Sequence, residues 1–140
     1  MVVLSVVALI VLIAAVYFTF FFYYKCDDLA CFKAHQIECS KTKFINDLES
    51  TTWLYTIEGD KGKKCVIDVE ILQVKEGTLD RKFLEGTSMQ CSLLKGSIDS
   101  PEGDLTLCNG LLKEGIQELI IKNTHSQIVS NLEEDIQGLI

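Results

Sequence analysis

Histidine and proline are scarce in this 140-residue chain, with two of the first and one of the second. Only His35 and His125 can serve as imidazole bases or ligands, and neither sits in an H-E-x-x-H or nucleophile-elbow pattern. The lone proline, Pro101, marks a loop and leaves no Pro-rich linker to divide the chain. A P-loop, a dinucleotide fingerprint, an EF-hand and a C-x-x-C redox pair are also missing. The chain therefore reads as non-enzymatic, with no catalytic residue, no cofactor and no metal expected.

Charge is missing from residues 1–24, MVVLSVVALIVLIAAVYFTFFFYY, in which only Ser5 and Thr19 are clearly polar. As one helix this run would extend roughly 36 Å, more than a hydrocarbon core of about 30 Å. A transmembrane-type helix is the leading expectation, because lipid leaves backbone groups no partner outside a helix. Tyr17, Tyr23, Tyr24 and Lys25 at its end suit an interfacial belt. A cleaved signal peptide fits poorly, since no basic n-region precedes the run and no A-x-A site closes it. The partners expected for residues 1–24 are membrane lipid or neighbouring apolar helices, the latter in a homo-oligomer or filament.

Every Lys, Arg, Asp and Glu lies beyond this run, and the net charge is −7. Such an acidic balance gives no electrostatic reason to bind nucleic acid. Residues 25–140 are enough for one small domain with one core. Charge does not orient the chain across a membrane, because Lys25 is followed at once by Asp27 and Asp28.

The cysteines do carry information on location. All six, Cys26, Cys31, Cys39, Cys65, Cys91 and Cys108, come after the apolar run. An even count in a small tethered domain points to disulfides in an oxidising, extracytoplasmic compartment. Composition alone leaves many pairings open. If residues 29–49 form a helix, Cys31 and Cys39 stand about 12 Å apart along its axis, too far to bridge. The pairing expected is Cys26–Cys31 across the helix start, Cys39–Cys65 from helix to sheet, and Cys91–Cys108 closing a loop. Cys26, Cys31, His35 and Cys39 also form a ligand-like list. The same separation keeps all four from converging on one ion, and His35 reads as a solvated or partly packed helix residue.

Asp27 and Asp28 are suited to cap a helix whose apolar residues recur at Ala30, Ala34, Ile37, Phe44, Ile45 and Leu48. That helix either continues the apolar one to residue 49 or breaks from it near Cys26. Thr51–Ile57 and Lys64–Val74, either side of Glu58–Gly62, have the alternation of an antiparallel hairpin with one inward face and one acidic face. Trp53 is its anchor. Ser88–Leu94 is a third strand, and Gly77–Gly86 is a loop with one helical turn. Asp104 is expected to cap a long C-terminal helix with Leu112, Ile116, Leu119, Ile120, Ile128, Leu132, Ile136 and Leu139 on one stripe, and His125 at the edge of the core.

The fold class expected is α+β: an apolar helix over 1–24, then a disulfide-stabilised head over 25–140 with a small antiparallel sheet packed by helices. This layout resembles that of pilin-like filament subunits, although Ser5 stands where bacterial-type pilins carry a glutamate. Trp53, Cys65, the segment Gly86–Cys91, Cys108 and the run LLKEGIQELII at 111–121 resemble small single-pass envelope proteins of archaea. That resemblance implies an envelope location and no chemistry. The functional expectation is a membrane-anchored structural or interaction protein. The alternatives are a filament subunit assembled through the apolar helix and a tethered ligand-binding domain with a pocket beside Trp53.

Overall fold

A computed structural model describes residues 2–77 and 79–137. The chain begins with helix α1 (Val2–Phe21) and passes into strand β1 (Tyr24–Cys26), helix α2 (Leu29–Glu38) and strand β2 (Thr42–Asp47). Strands β3 (Thr51–Lys61) and β4 (Lys64–Val74) come next, then the one-turn helix α3 (Leu79–Lys82) and β5 (Ser88–Leu94). Two 3-10 turns, Pro101–Gly103 and Leu105–Leu107, lead to the short β6 (Cys108–Asn109) and the long α4 (Leu111–Gln137).

The strands form one sheet in the order β1-β2-β3-β4-β5-β6. β1 runs parallel to β2, with α2 as the crossover, and every other neighbour is antiparallel. The α+β class holds, but the sheet is mixed and six-stranded where a small antiparallel one was expected.

Among the described residues no helix is long and apolar enough to cross a membrane. This corrects both the transmembrane-type helix and the single-pass membrane location. The 24-residue apolar run does not remain one helix: it ends at Phe21, and its last residues belong to the head. The Tyr23 hydroxyl donates to Glu58 Oε2 at 2.7 Å, and Lys41 and Lys43 lie over its ring. Tyr24 enters the sheet opposite Thr42. Two of the tyrosines expected in an interfacial belt, Tyr23 and Tyr24, are thus engaged with the sheet.

The expected helix over 29–49 is also corrected. Asp28 caps α2 by accepting the Cys31 N–H at 2.7 Å, but Cys39 closes the helix in the left-handed region at φ 57. Beyond it Thr42 and Phe44 are buried in alternation with Lys43 and Ile45, the period of a strand. The β3–β4 hairpin exceeds its expected length because Glu58–Lys61 stay in the strand. A register shift between Ile57 and Gly59 leaves Glu58 as the extra residue, Gly59 pairs with Val66, and the chain reverses at Gly62.

One sheet face builds the core. Phe44 and Tyr55 are cross-strand partners, and Phe32 from α2 packs on both at 5.5 Å between ring centroids. Ile57, Ile67, Val69, Met89 and Leu112 complete it with no more than 1% exposure. Large apolar side chains of this kind contribute about 1.5–3 kcal/mol each on full burial.

Asp104 caps the Leu105–Leu107 turn through the Thr106 N–H instead of the C-terminal helix, which starts after Gly110. Leu112 is fully buried and Ile116 and Leu119 partly so, while Ile120 through Gln127 are exposed, His125 among them. The core-edge placement of His125 is therefore wrong. Met1 and Leu139 lie outside the described residues, as do the side chains of Ile128, Leu132 and Ile136.

Candidate functional site

Two features stand out chemically: a sulfur–imidazole cluster where α2 meets β1, and the bare surface of α1. The cluster arises from local chain geometry. β1 ends at Cys26, opposite Phe44, and two residues later Asp28 starts α2. The short turn brings Cys31, in the first turn of α2, back to Cys26, and the two form a disulfide with Cα atoms 5.6 Å apart. His35 lies one turn further along the same helix face, with its ring tilted against Tyr24 at 4.7 Å.

The two sulfurs and a His35 ring nitrogen lie within 4.8 Å of one another. His35 Nδ1 is buried and has no hydrogen-bond partner. Of the four ligand-like residues in the sequence, the structure gathers Cys26, Cys31 and His35 and directs Cys39 elsewhere. With the disulfide closed, Cys26 and Cys31 are not thiolates, so the trio offers a metal only one strong donor. The i, i+4 spacing of Cys31 and His35 was the visible trace of this cluster; the unpartnered nitrogen left no mark in the sequence.

The remaining bridges are Cys39–Cys65, tying the end of α2 to β4, and Cys91–Cys108, joining directly opposed residues of β5 and β6. The six cysteines are thus joined in the same three pairs that the sequence suggested, and none is free. Core side chains surround both of these bridges, and Cys65, Cys91 and Cys108 are each at most 1% exposed.

Concavities of two sizes are lined by described residues of the head. The larger, about 480 Å³, opens between the α3 loop and α4, with Phe83, Leu84, Leu111, Glu114 and Lys122 among its walls. The smaller, about 70 Å³, lies beside Phe32, Gln36, Tyr55 and Glu102. Its polar groups are already engaged. Gln36 Nε2 donates to Asp99 O at 2.7 Å, and the Tyr55 hydroxyl donates to Glu102 Oε1 at 3.2 Å. Burial, followed by the negative charge of Glu102, raises the Tyr55 pKa well above its ordinary value. Trp53 lines neither hollow. It is half-buried and stacks on Tyr55 at 6.4 Å.

The outer sheet face bears Glu58, Asp68 and Glu70. Burial, then repulsion by Glu58 and Glu70, raises the pKa of Asp68. The hydrogen bond to Glu58 likewise raises that of Tyr23. This acidity suits a solvated surface.

α1 is different in kind. Leu9 through Ile13 are five consecutive apolar residues, each about 60% exposed. At about 100° per residue they cover the whole circumference of the helix. The Thr19 hydroxyl near its end is turned back on the helix, donating to Ala15 O at 2.7 Å. No protein-family model, curated protein or solved structure matches this chain.

Proposed function

We propose that this chain is a non-enzymatic extracytoplasmic structural protein that assembles by packing α1 against the α1 helices of other copies, with the disulfide-bonded heads facing outward. The observation that carries this reading is the apolar, uncharged surface on every side of α1. A monomeric soluble protein rarely leaves so continuous an apolar surface bare, and such surfaces mark interaction sites. A helix apolar on only one side would suit a single groove. One apolar all round needs neighbours all round, as in the core of a helical bundle or fibre. Other copies supply such neighbours with matching length and chemistry.

The heads suit the outer layer. Their net charge of −7 keeps them soluble and spaced apart, and three disulfides fit an oxidising exterior. This is the layout of a pilin-like subunit, with an apolar helix below and an α+β head above.

Sedimentation of the purified chain in detergent-free buffer, followed by negative-stain electron microscopy, tests the assignment. Ordered polymers with heads on their rim are expected. Discrete monomers at micromolar concentration would overturn it.

A further inference from the structure

The three disulfides differ in what surrounds them, and one carries a further role. We propose that Cys26–Cys31 is an exchangeable disulfide, at which thiols of a partner protein or small thiols undergo thiol–disulfide exchange with His35 as the hydrogen-bonding partner of the sulfur released.

Access comes first. Cys39–Cys65 and Cys91–Cys108 are enclosed by the core, whereas Cys31 is only partly buried in the first turn of α2 and its partner Cys26 is buried. An incoming thiolate therefore reaches the Cys31 sulfur, and Cys26 is the leaving group. The loop between them is also short, with a sequence separation of 5 against 26 and 17 for the other two. Opening it frees little chain.

The imidazole beside the bridge is unsatisfied as well. With the bridge closed, His35 Nδ1 is buried and has no hydrogen-bond partner. A buried polar atom without a partner destabilises the state that contains it. When the bridge opens, a thiol or thiolate forms beside the ring, which already has a nitrogen within 4.8 Å of both sulfurs. An S–H···N or N–H···S contact then engages the imidazole. The dithiol state gains a hydrogen bond that the disulfide state lacks, and the exchange equilibrium shifts toward reduction.

The step balances. A thiol loses its proton and attacks Cys31 Sγ; the Cys26–Cys31 bond breaks and a mixed disulfide forms on Cys31. The Cys26 sulfur leaves with the bonding pair and takes up one proton beside His35. A second thiol attacks the mixed disulfide, departs as part of a new disulfide, and leaves Cys31 as a thiol. Two external thiols are oxidised to one disulfide and Cys26–Cys31 is reduced to two thiols.

The full chain is equilibrated in glutathione buffers of increasing reducing strength, trapped with an alkylating agent and mapped by mass spectrometry. Cys26–Cys31 should open first, with an equilibrium constant for reduction at least about tenfold above that of either other bridge. In the Cys26→Ser variant, glutathione should accumulate on Cys31. His35→Gln should shift the Cys26–Cys31 equilibrium several-fold toward the disulfide without moving the other two. Near-UV circular dichroism should show the head still folded after the first opening. If all three bridges open together, if the head unfolds with the first, or if His35→Gln changes nothing, the proposal fails. The wild-type equilibrium decides the matter even where a variant does not fold.

Discussion

Gly110, between β6 and α4, adopts φ 134, a conformation that L side chains rarely take. A methyl group there would stand 2.7 Å from Ser88 O and 2.9 Å from the Met89 Cα, both backbone atoms of β5. Neither can swing aside. Gly110→Ala should therefore cost at least about 2 kcal/mol, combining backbone strain with displacement of β5, read as a lower urea midpoint. Asp68 makes the opposite case. Its folded-state pKa is raised, so the unfolded chain ionises more readily and the carboxylate destabilises the fold at neutral pH. That penalty is absent below the unfolded value near 3.8 and is complete only above the folded value. Asp68→Asn should raise stability at pH 7 by a few tenths of a kcal/mol, allowing for solvent screening. The gain should vanish as the pH falls below about 4, as paired urea titrations at pH 7 and pH 3 would show. Residue identity was a good guide where chemistry is local: Asp28 caps α2 as expected. Asp104 caps too, but a different element, because a capping side chain signals a helix start and not how long that helix runs.

At the level of elements, alternating strands were legible and short or composite ones were not. β3, β4 and β5 could be read from residues alternating in and out of the core. β2 was hidden because Phe44, Ile45 and Leu48 also satisfy a helical period, and what separates the readings is the left-handed turn at Cys39. β1 and β6, at three and two residues, are too short to show any period. They exist because neighbouring strands and bridges hold them. Cys26–Cys31 and Cys91–Cys108 are those bridges, whereas Cys39–Cys65 links the end of α2 to the central β4 across a separation of 26. Closing a loop of that size restricts the unfolded chain by about 3.5 kcal/mol in the chain-entropy picture. The double substitution Cys39→Ala and Cys65→Ala should lower the unfolding free energy by about 2–4 kcal/mol. Cys26→Ala with Cys31→Ala should cost less, because its loop is shorter. Parallel urea denaturation of the two variants measures the difference.

Considered as a whole, the molecule divides between a head built on a packed core and a helix whose apolar side chains are exposed. The apolar run announced itself in the sequence, and α1 leaves its apolar side chains exposed among the described residues, but no intrachain pattern records what would cover them. The sulfur–imidazole cluster was legible only as a spacing, since its meaning rests on a buried nitrogen without a partner. If α1 is the core of an assembly, one charge in its middle should dissolve that core and spare the head. Ile10 is 60% exposed in the single chain and would be buried in the bundle. Ile10→Glu would place a carboxylate in each helix seam without a counter-charge, because α1 contains none. Burying an unpaired carboxylate costs several kcal/mol per ion, repeated at every copy. The described core begins only at Cys26, so near-UV circular dichroism of the head should not change. The matched control is Ile121→Glu, at an exposed position on α4, which adds the same charge while leaving α1 intact. Sedimentation should show Ile10→Glu as monomer and Ile121→Glu as polymer. Equal behaviour of the two variants would mean that net charge, and not the α1 seam, governs association.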